Sequence, residues 1–230
     1  MHSKIRAVAF DLDNTLWEVG PVIARAEALL VQWLRQHCPR IPERVSVEEM
    51  REARARLALA EPHKAHDFTY LRIAALARHA RDCGYEEGVA ERAFEVFFAA
   101  RNEVELHADV RPALDRLRPR YRLATLTNGN ADLARIGLAG LFDVSLSSRD
   151  VGVAKPHPHV FLELARRLAL APPEILYVGD EPELDVSGPK AVGMPAVWMN
   201  RSRSPWPAHV MASPDLTVAD CTELAEALGV

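Results

Sequence analysis

Apolar and polar positions along this 230-residue chain follow two rhythms. Near the start, Ile5-Arg6-Ala7-Val8-Ala9-Phe10 is a short run of Ile, Val, Ala and Phe, the pattern of a buried strand. The spacing then turns helical for about ninety residues. Val22, Ala26, Leu29, Leu30, Trp33 and Leu34 predict a helix over Pro21 to Cys38, with Pro21 suited to a first turn. Ser46-Val47-Glu48-Glu49 has the form of a capping box and opens a second helix, Val47 to about Ala60. A third is expected from about Asp67 to Cys83, stopping before Gly84, and a fourth from about Glu87 to Arg101.

Beyond Val110, strand and helix take turns. Pro112–Leu117 reads as a short helix and Tyr121–Leu126 as a strand ending at Thr127-Asn128-Gly129-Asn130. A helix over Ala131–Gly137, a weaker strand at Val144–Leu146 and a helix over Pro158–Leu170 come next. They are followed by a strand at Ile175–Val178 ending in Gly179-Asp180, a helix over Asp185–Val192 and a strand at Ala196–Met199. Leu216–Val218 adds a last strand before a helix at Cys221–Leu228. Such alternation implies an α/β fold, a doubly wound parallel-sheet core of Rossmann-like type covered on both faces. The first strand belongs to that sheet. The expected domains are therefore residues 1–16 and 106–230 as the α/β core, with a four-helix bundle inserted at 17–105.

Composition narrows the picture. A 49% hydrophobic fraction suffices for a core, and a net charge of −4 leaves no basic surplus to attract nucleic acid, so an anionic ligand must be captured locally. No apolar run nears the roughly 20 residues of a membrane helix, and no signal-peptide layout is present, so a cytoplasmic protein without a membrane partner is expected. Cys38, Cys83 and Cys221 are widely spaced and read as reduced, packed thiols.

The candidate chemistry lies at the strand ends. Asp11 and Asp13 stand two positions apart just past the first strand, on one side of the chain if the pleat persists. Like charges so close need a cation or a shared proton. The alternative is an Asx-rich turn in which Asp13, Asn14 and Thr15 bond nearby backbone amides. Thr127, Asn128 and Asp180 also follow strands, and in a parallel sheet those ends converge on one edge, within reach of Lys155 in the loop after the weaker strand. Carboxylates at Asp11 and Asp180 with a backbone carbonyl suit Mg²⁺, while Thr127, Asn128 and Lys155 suit phosphate oxygens. Phosphoryl transfer asks for little more than such positioning and charge neutralisation.

Phe10-Asp11-Leu12-Asp13-Asn14-Thr15-Leu16, Leu126-Thr127-Asn128-Gly129, Ala154-Lys155-Pro156 and Val178-Gly179-Asp180 with Asp185 together resemble the four motifs, in order, of the haloacid-dehalogenase-like hydrolase superfamily. The resemblance spans essentially the whole chain. It implies Asp11 as the nucleophile forming an aspartyl-phosphate, Asp13 as general acid and base, and Thr127 and Lys155, with Asn128 beside them, as phosphate holders. It further implies Mg²⁺ held by Asp11, the Asp13 carbonyl and Asp180, with Asp185 orienting Lys155 or a metal-bound water. Dehalogenase members lack an acid at the Asp13 position, because a departing halide needs no proton, so the phosphatase branch is implied. Phosphomutases share that acid but usually follow it with Gly, where this chain has Asn14.

The inserted bundle would be the helical (C1-type) cap of that family, which excludes water and selects a small substrate. Gly20-Pro21-Val22-Ile23, Ala60-Glu61-Pro62 with His66-Asp67 and Arg72, and Thr127–Ala131 resemble bacterial phosphatases acting on flavin mononucleotide and on 5-amino-6-(5-phospho-D-ribitylamino)uracil, in riboflavin biosynthesis. Nucleoside-monophosphate or sugar-phosphate phosphatases share much of this likeness, and a catalytically silent binding module on the same fold is the reading from another class. Gly188-Pro189 departs from the usual Gly-Ala.

Several positions carry two readings. His66, Asp67, Tyr70 and Arg72 either line a specificity pocket or form a helix cap and solvated face. Trp17 either stacks on a substrate base or packs. His157 and His159 read as helix-entry residues rather than ligands, and Glu181 and Glu183 either tune the metal site or stay solvated. A small phosphomonoester is the expected partner, and the protein a monomer or homodimer.

Overall fold

The computed structural model describes residues 4–230; residues 1–3, which the core boundary above includes, lie outside the described residues. The chain divides into two compact units. A sheet unit comprises the residues through Glu18, Glu105–Gly129 and Gly137–Val230, and a helical unit comprises Val19–Val104 with Asn130–Ile136.

In the helical unit, α1 (Val19–His37) buries Val22, Ala26, Leu30 and Leu34, one face at four-residue spacing. It begins two residues before Pro21, whose missing N–H falls in the first turn where none is needed. A five-residue helix, α2 (Arg40–Arg44), buries Ile41 alone and is too short to show a period in sequence. α3 (Val47–Ala60) opens on the expected capping box: Ser46 accepts from the Glu49 amide and its own amide donates to Glu49 at 2.7 Å. α4 (Phe68–Asp82) is capped by Asp67, and α5 (Val89–Arg101) turns Ala90, Ala93, Phe97 and Ala100 inward. The Ala positions let α5 lie close against α1. The later segment 130–136 joins this unit through its own contacts: Asn130 donates to Thr69 Oγ1 at 3.2 Å, the Asp132 amide to Asn102 at 2.7 Å, and Arg135 to Glu95 at 2.7 Å.

The sheet unit holds six parallel strands, β1 (Ala7–Phe10), β2 (Arg122–Thr127), β3 (Val144–Ser147), β4 (Ile175–Gly179), β5 (Ala196–Met199) and β6 (Leu216–Val218), in the order β3-β2-β1-β4-β5-β6. β1 is wholly buried, as a strand covered on both faces must be. One face packs against α7 (Pro158–Leu168), where Phe161 and Leu164 meet Ala7, Ala9 and Leu126. α6 (Val110–Leu117) and α8 (Cys221–Ala227) pack against each other.

Register brings the polar strand ends together. Phe10 pairs with Thr125 on one side and Val178 on the other. Asp11, Thr127 and Asp180 therefore all leave the sheet along one edge, at the point where strand order reverses about β1.

Two expected helices come out shorter, and a third changes type. α7 stops at Leu168 because Ala169 takes a left-handed φ of 51°. The helix expected over Ala131–Gly137 is a single turn, Leu133–Ile136, started by Asp132. The helix expected over Asp185–Val192 is a π-helical turn, Pro182–Ser187, followed by Gly188–Ala191. Its cause is local: the Asp185 carboxylate accepts from the Glu181 amide at 3.0 Å, folding the turn back on itself.

Candidate active site

Lys155 is the hub of the strand-end cluster. Its ammonium, buried to 2% exposure, donates to Asp11 Oδ1 at 2.6 Å, Asp185 Oδ1 at 2.7 Å and the Tyr177 hydroxyl at 3.2 Å. An ammonium has three protons, and three acceptors surround it. Tyr177, fully buried in β4, donates a hydrogen bond from its own hydroxyl to the Leu126 carbonyl at 2.8 Å. Gly179 is required here, because a Cβ at that position would stand 2.3 Å from Asp185 Cγ.

Asn128 holds Lys155 by its backbone, its amide oxygen accepting from the Lys155 N–H at 2.8 Å and its amide nitrogen donating to the Lys155 carbonyl at 3.1 Å. Both polar ends of this predicted phosphate contact are thus engaged by the neighbouring loop. Thr127 accepts from the Gly129 amide at 3.0 Å, an ST-turn at the end of β2.

The turn after β1 does more than cap a strand. The Asn14 amide donates to the Trp17 carbonyl at 2.7 Å, with Asn14 at φ 61°, a conformation Asn tolerates. Thr15 is buried and its hydroxyl bridges Asp11 Oδ2 at 3.5 Å and Asp180 Oδ1 at 3.2 Å. The Trp17 indole donates to Asp13 Oδ1 at 2.9 Å. Trp17 is therefore a packed residue with a polar contact to a catalytic candidate.

Burial raises the Asp11 carboxyl well above its usual range, against the pull of Lys155 and with the help of Asp185. Burial also raises Asp180 to about 7, helped by Asp185 and Glu181, and lifts Glu181. For Lys155, burial favours the neutral amine, but Asp11 and Asp185 overcome it and hold the ammonium far above its ordinary value. Carboxylates crowded this way suit a further cation beside Lys155. Asp11, Asp180 and Asp185 each offer an oxygen within 4.8 Å of the others, and this all-oxygen set fits a hard divalent ion such as Mg²⁺.

The remaining candidates are placed as follows. In the helical unit, Asp67 Oδ1 accepts from the Tyr70 amide at 2.9 Å, Tyr70 donates to Glu61 at 2.8 Å, and His66 is half-buried. Arg72 is buried, its guanidinium 3.5 Å from the centre of the Phe97 ring and 3.8 Å from Glu27. In the sheet unit, His157 caps α7 by accepting from the His159 amide, and both histidines are exposed. Glu183 is exposed beside His209, and the three cysteines are buried free thiols.

Three supporting side chains escape a motif reading. Tyr177 looks in sequence like one more apolar strand residue. Trp198 donates from its indole to the Asp180 carbonyl at 2.9 Å, again from a strand that reads as core. Arg201, in a segment without a motif, donates to the Thr15 carbonyl at 2.9 Å while pairing through two nitrogens with Asp109. Only an aromatic carrying a polar atom near a strand's end hints at the first two.

The chain is similar to known proteins. A family model described as haloacid dehalogenase-like hydrolase matches residues 5–193. The 5-amino-6-(5-phospho-D-ribitylamino)uracil phosphatase YigB of Escherichia coli is 30% identical over 200 residues, covering 85% of this chain and 84% of its own. A phosphoserine phosphatase of Thermus thermophilus is 41% identical over 61% of this chain and 60% of its own. A crystal structure titled 2-haloacid dehalogenase, from Pseudomonas syringae, superposes with a TM-score of 0.92 at 37% identity over 98% of both chains. With the family model spanning both sides of the insertion and all four polar strand-end motifs gathered on one sheet edge, the chain belongs to the haloacid dehalogenase-like hydrolases.

Proposed function

We propose that the protein is a phosphoric monoester hydrolase, a divalent-metal-dependent phosphatase acting on a small substrate. The observation that carries this reading is Asp13, an acid held two residues after Asp11 at the same sheet edge. A halide leaves carbon as a stable anion and needs no proton, whereas an alkoxide leaving phosphorus does. Asp13 therefore favours phosphate esters over the 2-haloacid substrates named for one structural relative.

In this reading an Asp11 carboxylate oxygen attacks phosphorus as the bond to the ester oxygen breaks, and Asp13 gives that oxygen its proton. The aspartyl-phosphate at Asp11 is then attacked by water, whose proton returns to Asp13, freeing phosphate and restoring both residues. Lys155 keeps positive charge against Asp11 throughout, and Thr127, with Asn128 beside it, would hold the phosphoryl oxygens. Asp11, Asp180 and Asp185 would hold Mg²⁺, whose positive charge would keep these carboxylates ionised and offset that of the phosphate.

For the substrate we propose a phosphorylated ribityl compound, supported by the likeness to the ribitylamino-uracil phosphatase. Nucleoside monophosphates and sugar phosphates are the alternative. The test is release of phosphate from the ribitylamino-uracil phosphate, flavin mononucleotide, nucleoside monophosphates, phosphoserine and sugar phosphates with and without Mg²⁺, beside chloride release from 2-chloropropionate. Mg²⁺-dependent phosphate release with a ribityl preference supports the whole reading, and an even spread over the esters removes the substrate. Chloride release alone replaces the reading with a dehalogenase, and no turnover at all points to a binding module.

A further inference from the structure

The contact between Trp17 and Asp13 is specific in a way that packing alone does not require. Trp17 is fully buried, and its backbone is pinned on two sides, by the Asn14 amide and by a bridge to Leu106. Its indole N–H donates to Oδ1 of Asp13 at 2.9 Å. An indole nitrogen donates and never accepts. Whichever protonation state Asp13 adopts, Oδ1 must therefore remain an acceptor.

Resting on the phosphatase reading, we propose that Trp17 is a positioning residue that fixes which oxygen of Asp13 exchanges the proton. Oδ1 stays bonded to the indole as the carbonyl-like oxygen, and the acidic proton resides on Oδ2. In the first half-reaction the Oδ2–H bond breaks as the proton passes to the ester oxygen, and the bond between that oxygen and phosphorus breaks with it. In the second, Oδ2 takes a proton from the attacking water. The indole bond persists through both, so the carboxyl group cannot spin about its Cβ–Cγ bond and present the wrong oxygen. A proton donor held to one orientation serves leaving groups that need protonation and adds little where none is needed.

Leaving-group dependence tests this. Trp17→Phe and Asp13→Asn are each compared with wild type on an alkyl phosphate, whose alkoxide needs a proton, and on p-nitrophenyl phosphate, whose phenolate departs without one. The expected result is that Trp17→Phe loses about tenfold more kcat on the alkyl ester than on the aryl ester, a fraction of the full general-acid contribution, with KM little changed. In an Asp13→Asn background the same substitution is expected to add no further selectivity. A general packing defect would lower both substrates together, and equal losses overturn the proposal. In parallel, the indole ¹⁵N–¹H resonance that disappears in Trp17→Phe is expected to shift in Asp13→Asn, and an unmoved resonance also overturns it. A wild type inert toward both esters removes the phosphatase reading and the role built on it, whereas an active wild type with equal losses removes only the role of Trp17.

Discussion

The sheet unit and the helical unit each bury a knot of charged side chains, and the two knots are built on opposite terms. In the sheet unit one ammonium, Lys155, is surrounded by Asp11 and Asp185, with Asp180 close by, so carboxylates are in excess. In the helical unit one carboxylate, Glu27, gathers Arg51 at 2.5 Å, Arg54 at 3.3 Å and Arg72 at 3.8 Å, so cations are in excess. Burial and the neighbouring Arg54 lower the Arg72 guanidinium to about 9, and the Phe97 ring face supplies part of what is missing.

Burial of charge is common to both and does not by itself identify a site. The difference is where the groups come from. The sheet cluster draws residues from loops after several strands, and its surplus sign matches a metal ion that would bring phosphate with it. The helical cluster draws on α1, α3 and α4 and ties those helices together around one acceptor.

Asp11→Asn tests the sharper half of that contrast. Removing the proposed nucleophile is expected to cut phosphate release roughly a thousandfold or more, with the thermal unfolding midpoint little changed. Glu27→Gln is the counterpart in the helical unit. It leaves buried guanidinium groups without their counter-charge and is expected to cost about 3 kcal/mol in urea unfolding, while kcat per folded molecule stays the same. A fall in kcat there would erase the distinction between the clusters.

Gly179→Ala is aimed at the joint between sheet and chemistry. Its Cβ would collide with Asp185, so the carboxylate must leave Lys155. A shift of that kind is expected to lower kcat roughly 100-fold and stability by about 1–3 kcal/mol, read by kinetics and denaturation together. The smallest effect concerns Asp109. Although burial opposes it, the Arg201 guanidinium and the Cys221 amide hold this carboxyl down at about 2. A pKa lowered by folding stabilises the protein above the unfolded value of about 4, and that contribution fades as pH falls toward 2. Asp109→Asn is therefore expected to cost about 1 kcal/mol or less at pH 7, given its partial exposure, with the deficit shrinking in acid.

Much of the sheet unit was legible from the chain. β1 and β4 announced themselves as short apolar runs because an interior parallel strand is buried on both faces and needs no polar alternation. The Ser46 capping box and the Asp67 cap were legible for the same local reason, since a helix start is satisfied by residues a few positions away. The helix expected from Asp185 is present but starts at Pro182 with a π-helical turn, because the Asp185–Glu181 bond that reshapes it belongs to the site and leaves no mark on the apolar spacing. Arg72 carried two readings in sequence, and neither was burial on an aromatic ring beside Glu27, a contact spanning three helices.

By itself the sequence determined that Asp11, Asp13, Thr127 and Asp180 stand at strand ends, with Lys155 and Asp185 in the loop and turn beyond, because strand ends follow from local apolar runs and their termination. Tertiary structure alone decided what holds them. Tyr177 against Lys155, Trp198 against the Asp180 carbonyl, Arg201 against the Thr15 carbonyl and Trp17 against Asp13 depend on how strands are ordered and how a loop returns. Hydrogen bonds of that kind are set by direction and distance in space, and three of the four join residues too far apart in the chain for any periodicity to record them.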